Sequence, residues 1–229
     1  MKTISSIKSF LLETKNEMIR NTAIIILSTL FFACAAENKK SENTTTESQP
    51  IQNTVSIDTA YFAGGCFWCV EASFEQIKGV KEAVSGYAGG EEKNPSYKEV
   101  SYGRTNHAEA VMVLYDSSVI SYETLLDIFF VAHDPTQLNR QGPDVGKQYR
   151  SAIFYRNTTE KNLALKKMNE LASKFDGEIV TELTAFTKFW EAENYHQDYE
   201  QKNPNDRYIV NVSKPKIDKV AEKFKDLLK

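Results

Sequence analysis

The sequence predicts an α+β fold: a two-layer α/β sandwich with a ferredoxin-like (βαββαβ) core and long active-site loops. Its composition over 229 residues, 41% hydrophobic and 26% charged, is that of a soluble globular protein. Segments with strand and helix periodicity follow one another in the order strand, helix, strand, strand, helix, strand, which is the split βαβ order. Two long stretches that contain Pro and Gly separate some of these elements and are expected to be loops.

Each element has its own local signal. Apolar alternation predicts strands at residues 57–63, 80–87, 107–115, 151–155 and 179–183. Apolar residues at helical spacing predict helices at 66–77, 121–132, 157–175 and 217–228. Ser121 and Asn157 precede two of these helices as N-cap residues, and Glu160 would complete a capping box with Asn157. The loops are expected at 91–106 and 133–149.

The N-terminal region predicts export. The apolar run 23–33 is about half as long as the roughly 20 residues that a helix needs to span a bilayer. It follows Arg20 and ends directly before Cys34. This pattern indicates a bacterial lipoprotein signal in which Cys34 is lipidated. The run from Met18 is a far better signal than the residues before it, so the true start is expected at Met18. A buried helix and a plain secretory signal are the alternatives.

Three segments follow from this interpretation. Residues 1–33 are expected to be the signal peptide, 34–56 the lipidated N-terminus with a flexible polar tether, and 57–229 the catalytic domain. The tether is predicted because its Glu, Asn, Lys, Ser and Thr residues bury too little apolar surface to offset their ordering entropy. The protein is therefore expected in the bacterial cell envelope, lipid-anchored on the periplasmic side or secreted.

Charge and cysteine content exclude several classes of protein. A formal net charge of −3 gives no basic field for nucleic acid. Three cysteines are too few for a disulfide scaffold, and a single strongly apolar run excludes a multi-pass membrane protein.

The chemistry begins at the G-G-C-F-W-C segment. Cys66 and Cys69 are three residues apart at the start of a predicted helix, so they share one face within disulfide reach. The helix N-terminus is expected to lower the pKa of Cys66. Phe67 and Trp68 offer an apolar surface for a small hydrophobic group beside it. A pair of buried structural cysteines is the alternative, but this motif at a strand-to-helix turn favours redox or metal chemistry.

A zinc site is not predicted. H-x-E at 107–109 together with C-x-x-C resembles the zinc deaminase signature, but in the reverse order and with no Pro before Cys66. A structural zinc ion needs four ligands, and no pair of histidines is spaced to complete the set.

Glu109 is the second informative residue. The strand that contains it is apolar on both faces, so a buried carboxyl group there would have a raised pKa and could act as a general acid. Taken alone, the pattern favours the alternative, a Glu at the strand end that pairs with Arg or Lys.

The motifs together resemble the A-type peptide methionine sulfoxide reductases, over most of the predicted domain. The matching segments are GGCFWCVEASFEQIKGV, GYAGGEEKNPSYKEVSYGRTNHAEAV, HDPTQLNRQGPDVGKQYRSAIFY and AENYHQDYEQKNP. The resemblance implies a peptide-methionine (S)-S-oxide reductase that repairs oxidised proteins, acting on free or protein-bound methionine sulfoxide.

The resemblance also implies residue roles. Cys66 would attack the sulfoxide sulfur and Glu109 would protonate the oxygen. The groups implied for substrate binding are Phe67 and Trp68 around the S-methyl group, Tyr97 and Tyr149 as hydrogen-bond donors to the oxygen, and Asp144, which orders the site.

The resemblance implies how the sulfenic acid on Cys66 is removed. No cysteine follows Cys69, and family members with the GCFWC motif use the second cysteine, so Cys69 would resolve the sulfenic acid as a disulfide. Thioredoxin or a thioredoxin-like dithiol would reduce that disulfide, with no metal or organic cofactor. Oxidised proteins or peptides and this reductant are the expected partners of a monomer.

Two other classes share some of these features. A thioredoxin-like thiol-disulfide oxidoreductase has the C-x-x-C motif but needs a facing Pro that is not evident, and it leaves Glu109 unexplained. A non-enzymatic surface lipoprotein would keep its function after replacement of Cys66. His196 and His133 are expected to be structural, the latter ordering the long loop.

Overall fold

The computed structural model describes residues 56–229. The predicted signal peptide, the lipidation of Cys34 and the tether lie outside these residues. No helix among residues 56–229 combines the length and the apolar character needed to cross a membrane.

Eight strands form two sheets in the part of the chain that the structure describes. They are β1 (Ile57–Gly64), β2 (Val80–Ala88), β3 (Ala108–Asp116), β4 (Arg140–Gln141), β5 (Asp144–Val145), β6 (Ser151–Tyr155), β7 (Glu182–Ala185) and β8 (Phe189–Glu191). The larger sheet has the order β7-β6-β1-β3-β2-β8, and β4 pairs with β5 in a small hairpin. The central four strands, β6-β1-β3-β2, are all antiparallel neighbours in the order of a ferredoxin-like sheet. The predicted α+β fold with a ferredoxin-like core is therefore confirmed.

Six α-helices accompany the sheet within the described residues. They are α1 (Phe67–Glu75), α2 (Tyr97–Ser101), α3 (Tyr122–Ala132), α4 (Thr158–Leu171), α5 (Tyr199–Lys202) and α6 (Lys214–Lys223). Short 3₁₀ turns occur at Lys147–Tyr149 and Lys225–Leu227, and a π-helical turn at Ile209–Ser213 precedes α6. The helices α1, α3, α4 and α6 contact one another and cover one face of the sheet. This face holds the main core.

Side-chain alternation decides which strand residues reach that core. In β1, Phe62 is fully buried and pairs in register with Val111 of β3. Phe62 stacks on Phe74 of α1 and on Phe129 of α3, with ring centroids 5.4 and 5.0 Å apart. Burial of such aromatic side chains is the main force that holds the helices on the sheet.

The opposite face of the sheet is covered by chain rather than by helices. Its small side chains are mostly alanines, such as Ala63 and Ala110, and Phe186 and Phe189 pack near them. Tyr61 stacks on Phe186 with ring centroids 4.0 Å apart. Strand β3 is thus covered on both faces around Glu109, as its apolar sequence predicts.

Several element boundaries differ from the sequence prediction. The last helix begins at Lys214 rather than Ile217, α4 ends at Leu171 rather than Phe175, and β7 begins at Glu182 rather than Ile179. The expected loops contain α2, the β4–β5 hairpin and a 3₁₀ turn, while β8 and α5 follow β7. These short elements depend on tertiary contacts and have no period of their own.

The predicted helix caps are largely confirmed. Ser121 accepts a hydrogen bond from the Thr124 N–H at 3.1 Å, and Asn157 accepts one from the Glu160 N–H at 2.9 Å. The prediction that Glu160 completes the capping box is wrong, because the Glu160 carboxylate accepts a hydrogen bond from the Arg156 N–H instead. The Arg156 guanidinium also pairs with that carboxylate, which favours this arrangement.

Candidate active site

The turn between β1 and α1 presents Cys66. Gly65 has φ +96°, a left-handed conformation that favours glycine. A Cβ at Gly65 would lie 2.6 Å from the Cβ of Gln141, so the long loop can approach the turn only because this residue has no side chain. Cys66 then occupies the N-cap of α1.

Cys66 is a free thiol with 6% of its surface exposed. Burial raises its pKa well above the usual value, and the neighbouring Cys69 and Glu109 raise it further, while a hydrogen bond with Tyr208 opposes the rise. The expected lowering of this pKa by the helix N-terminus is therefore wrong for the substrate-free protein. The main reason is desolvation of the buried thiol. In addition, Glu109 accepts the Phe67 N–H at 3.1 Å, where the helix N-terminus would otherwise attract the thiolate.

Glu109 is buried opposite Tyr87 of β2, with 2% of its surface exposed. Burial raises its pKa to about 8, against the opposing hydrogen bond from the Phe67 N–H. No Lys or Arg forms an ion pair with it within residues 56–229. The carboxyl group is therefore protonated at neutral pH, as a general acid requires.

Phe67 and Trp68 belong to an aromatic cluster. Phe67 is buried against the rings of Tyr97 and His196, with centroids 6.3 and 5.0 Å away. Trp68 is half-buried and stacks on Tyr199 at 3.8 Å, with 9° between the ring planes. These rings provide the apolar surface that the sequence predicts beside the thiol.

His196 fixes the position of Trp68. The indole Nε1–H donates to His196 Nδ1 at 3.2 Å, and the imidazole also lies 4.3 Å from the Tyr97 ring. Burial lowers the pKa of His196, which keeps the ring neutral and able to accept this hydrogen bond. The sequence gives His196 no role, and its contacts make it a support for the aromatic cluster.

Tyr97 and Tyr149 both come from loop segments near Glu109. A capping box formed by Ser96 and Glu99 begins α2 at Tyr97, and Tyr149 ends the 3₁₀ turn of the long loop. Burial raises the pKa of both phenols, of Tyr97 to about 12, and the charge of Glu109 is the next contribution in each case. The structure thus brings both tyrosines to the surroundings of Glu109 as neutral hydroxyl groups.

Asp144 is joined to the C-terminal segment. It accepts a hydrogen bond of 2.5 Å from the hydroxyl of Tyr208, whose ring lies 6.0 Å from that of Trp68 in an edge-on orientation. Burial and the nearby Cys66 raise the pKa of Tyr208, so it stays a hydrogen-bond donor. Tyr208 carries no signal in the sequence, because it is one of eleven tyrosines and lies outside the recognised motifs.

Cys69 lies one helical turn beyond Cys66 and is 1% exposed. Its thiol contacts the hydroxyl of Ser213, with Sγ and Oγ 3.1 Å apart. A hydrogen bond from Cys66 lowers the pKa of Cys69 to about 7, with Lys216 and Ser213 acting in the same direction. The two cysteines share one face of α1, as their spacing predicts.

The carboxylates of Glu71, Glu75 and Asp198 are the group within residues 56–229 that could surround a cation. Neither cysteine belongs to this group. Glu71 is already occupied, because it accepts hydrogen bonds from the Ser85 hydroxyl and the Asp198 N–H. His107, from the H-x-E segment, uses both ring nitrogens to hold the loop at Gly90 and Glu92.

Two buried thiols on one helix, a protonated carboxyl group at the helix N-terminus and an aromatic surface beside them define a thiol-dependent oxidoreductase. The family model for peptide methionine sulfoxide reductase matches residues 58–228. The chain therefore belongs to the peptide methionine sulfoxide reductase family, and its relatives place it with the A type. The enzyme reduces methionine sulfoxide, and the match favours this activity over a thioredoxin-like oxidoreductase.

Relatives from distant organisms support this assignment. The peptide methionine sulfoxide reductase MsrA of Pasteurella multocida is 55% identical over 170 residues, which are 74% of this chain and 98% of that protein. The MsrA of Natronomonas pharaonis is 52% identical over 168 residues, 72% of this chain and 94% of that protein. The match to the domain described above spans nearly the whole length of these two relatives.

Solved structures agree with the fold. The reduced form of Mxr1 from Saccharomyces cerevisiae superposes on this chain with a TM-score of 0.63 at 37% identity. The superposition covers 65% of this chain and 87% of the Mxr1 chain. Methionine sulfoxide reductase A of Corynebacterium diphtheriae gives a TM-score of 0.59 at 37% identity, with 69% and 77% covered.

Proposed function

We propose that Cys66 is the nucleophile that attacks the sulfur of methionine S-sulfoxide. The observation that supports this role is the convergence of the Cys66 thiol and the protonated Glu109 carboxyl group at the N-terminus of α1. The sulfoxide oxygen moves to the Cys66 sulfur, Glu109 protonates it, and the thiol proton returns to Glu109. The products are methionine and a sulfenic acid on Cys66, so the substrate sulfur is reduced and the Cys66 sulfur is oxidised.

The surrounding residues bind the two ends of the sulfoxide group. Phe67 and Trp68 enclose the S-methyl group, where burial of apolar surface favours binding. Tyr97 and Tyr149 donate hydrogen bonds to the oxygen, which becomes more basic as the sulfur is attacked. Asp144 orders the site through its hydrogen bond with Tyr208.

The second cysteine completes the reaction. Cys69 attacks the sulfenic sulfur, a Cys66–Cys69 disulfide forms and water leaves. The thiols of Cys66 and Cys69 are one helical turn apart and hydrogen-bonded to each other, which supports the GCFWC subtype, in which the second cysteine resolves the sulfenic acid directly. A thioredoxin-like dithiol then reduces the disulfide by thiol exchange.

The N-terminal region supports an address in the cell envelope. We propose that residues 1–33 are removed as a signal peptide, that Cys34 is lipidated, and that a tether to residue 56 joins the anchor to the catalytic domain of residues 57–229. Oxidised envelope proteins are then the substrates within reach of the site. Metabolic labelling with a palmitate analogue tests the anchor: wild-type protein takes up the label, and Cys34→Ser does not.

An assay with two epimers tests the reaction. The full chain carrying Cys34→Ser is incubated with peptides containing either the S or the R epimer of methionine sulfoxide and with dithiothreitol. We expect turnover of the S epimer only, and loss of it in Cys66→Ser. Turnover of both epimers, or activity in Cys66→Ser, would overturn the proposal.

A further inference from the structure

The C-terminal segment forms the surroundings of Cys69. Helix α6 packs against α1, and its N-cap is Ser213. Cys69 and Ser213 are 1% and 0% exposed, and their Sγ and Oγ atoms are 3.1 Å apart. A second hydrogen bond, from Gln76 Nε2 to the Ile217 carbonyl at 3.2 Å, ties the end of α1 to the same helix. The hydroxyl is therefore held beside the thiol by a fixed contact between two helices.

Lys216, three residues after Ser213 on α6, adds a charge to these surroundings. Its Nζ is buried and has no hydrogen-bond partner within residues 56–229. A buried ammonium group without a partner is costly, so a nearby anion would stabilise it. The hydrogen bond from Cys66 lowers the pKa of Cys69 the most, and the charge of Lys216 is the second largest cause that lowers it. The charge of Lys216 also acts on His133, but that ring is neutral because burial lowers its pKa to about 4, so the Cys69 thiolate would be the anion.

We propose that Ser213 and Lys216 are positioning residues that hold Cys69 as a thiolate for the resolving step. This inference rests on the proposed sulfenic acid at Cys66. The Cys69 thiolate attacks the Cys66 sulfur, the S–S bond forms and the S–O bond breaks. The leaving hydroxide takes the proton of Glu109 and becomes water. The Cys69 sulfur is oxidised and the Cys66 sulfur is reduced.

Other ionisable groups also act on this thiol. Asp144 opposes its ionisation, while Glu109 and Tyr208 are themselves affected by the charge of Cys69. None of these three groups lies on α6. A change at Lys216 therefore alters the charge around Cys69 and leaves these groups in place.

The test separates the resolving step from the first step. The full chain with Cys34→Ser is mixed with one equivalent of S-sulfoxide peptide. Methionine release reports formation of the sulfenic acid, and loss of free thiols reports formation of the disulfide. Lys216→Met is compared with Lys219→Met, which removes an exposed lysine one turn further along α6.

The expected result depends on pH in a way that a merely structural role would not reproduce. If Lys216→Met raises the pKa of Cys69 by about one unit, the thiolate at pH 6 falls about tenfold while its nucleophilicity rises about threefold, so disulfide formation is roughly threefold slower. Above pH 9 Glu109 has lost its proton, so the comparison is made there by alkylation of Cys69 in Cys66→Ser. Both proteins then hold the thiolate, and the protein with Lys216→Met reacts roughly threefold faster. Lys219→Met should match the wild-type protein throughout.

Equal disulfide rates in Lys216→Met and the wild type, or slowing by one factor at every pH, would overturn the inference. Failure of the wild-type protein to release methionine would instead overturn the proposed function. If Lys216→Met does not fold, Ser213→Ala should give the same crossover with a smaller amplitude, and Lys216→Arg should keep the wild-type profile. Iodoacetamide alkylation of Cys69 in Cys66→Ser gives a check without substrate, because its pH midpoint must rise when Ser213 or Lys216 is changed.

Discussion

The backbone N–H of Phe67 donates a hydrogen bond of 3.1 Å to the carboxyl group of Glu109, which lies 42 residues further along the chain. This bond joins the first turn of the helix that carries the thiol to the strand that carries the acid. Burial raises the pKa of Glu109 to about 8, even though a hydrogen bond from a helix N-terminus favours the charged form. Desolvation is therefore the larger effect, and the acid keeps its proton at neutral pH.

Replacement of the acid tests its role in catalysis. Glu109→Gln keeps the shape of the side chain and an oxygen that accepts the Phe67 N–H, but it has no proton to transfer. We expect the rate of methionine release to fall by about 100-fold or more, the range for loss of a general acid. Single-turnover kinetics with the S-sulfoxide peptide measure this rate. Glu191→Gln, an exposed change on β8, is the matched control and should have the wild-type rate.

The same variant should be more stable than the wild type at neutral pH. The folded protein holds a proton on Glu109 up to about pH 8, whereas the unfolded chain releases it near the ordinary value of 4.5. The free energy of unfolding therefore decreases as pH rises between these values, by an amount on the order of 3 kcal/mol at pH 7. Glu109→Gln removes this dependence.

Urea unfolding at pH 4.5 and pH 7.5 measures the effect. The gain in stability of Glu109→Gln over the wild type should be larger at the higher pH, and Glu191→Gln should show no such difference. An equal gain at both values would mean that Glu109 is not buried as a protonated acid.

The hydroxyl of Tyr208 is expected to matter although it is remote from the motifs. Tyr208→Phe leaves the ring beside Trp68 but removes the hydrogen bond to Asp144. A hydrogen bond to a charged group contributes about 1.5–3 kcal/mol, so we expect kcat/KM to fall about tenfold. Steady-state kinetics measure it. Tyr102→Phe, at a site that is 70% exposed, should leave kcat/KM unchanged, and equal values for both variants would contradict the expectation.

The fold was largely predictable because its core strands and helices have clear periods. Residues 151–155 were predicted as a strand with the observed bounds, and Ser121 caps its helix as expected. Strand β8 was not predictable, because its three residues form a strand only through backbone pairing with β2. Helix α5 has only four residues, and a single turn has too few residues to show a period.

The site was predictable where the motif is local. The apolar pattern around Glu109 correctly indicated a strand that is covered on both faces, although by itself it favoured an ion-paired Glu over the buried acid that the structure shows. The spacing of the two cysteines indicated a shared face. The pKa of Cys66 was predicted in the wrong direction, since its burial and the use of the Phe67 N–H by Glu109 depend on contacts distant in sequence. Tyr208 and Ser213 reach the site only through the packing of the C-terminal segment.

The resolving cysteine gives a prediction about stoichiometry. Cys69→Ser retains Cys66, Glu109 and the aromatic cluster, so the first step should be intact. We expect one methionine per protein molecule in a rapid burst, followed by a stall when thioredoxin is the reductant. Rapid-quench analysis of methionine, with dithiothreitol as the alternative reductant, measures both phases. Continued turnover with thioredoxin would show that the disulfide with Cys69 is not needed.

Gly65 tests how the thiol is presented. Its φ of +96° strains any residue with a side chain, and a Cβ at this position would lie 2.6 Å from the Cβ and Cγ atoms of Gln141. Gly65→Ala must therefore displace either the turn that holds Cys66 or the loop that carries Asp144 and Tyr149. The strain should lower the free energy of unfolding by about 1–3 kcal/mol.

The displacement should also lower activity by more than this loss of stability explains, because a shift of about 1 Å between reacting groups can reduce a rate roughly 100-fold. Single-turnover kinetics at a temperature where the variant remains folded separate the two effects. Gly142→Ala is the matched control, since Gly142 also has a positive φ, of 61°, but a Cβ there meets no atom within 4 Å. If Gly142→Ala lowers the rate as much as Gly65→Ala does, backbone strain explains the loss of activity, and the contact between residue 65 and Gln141 does not.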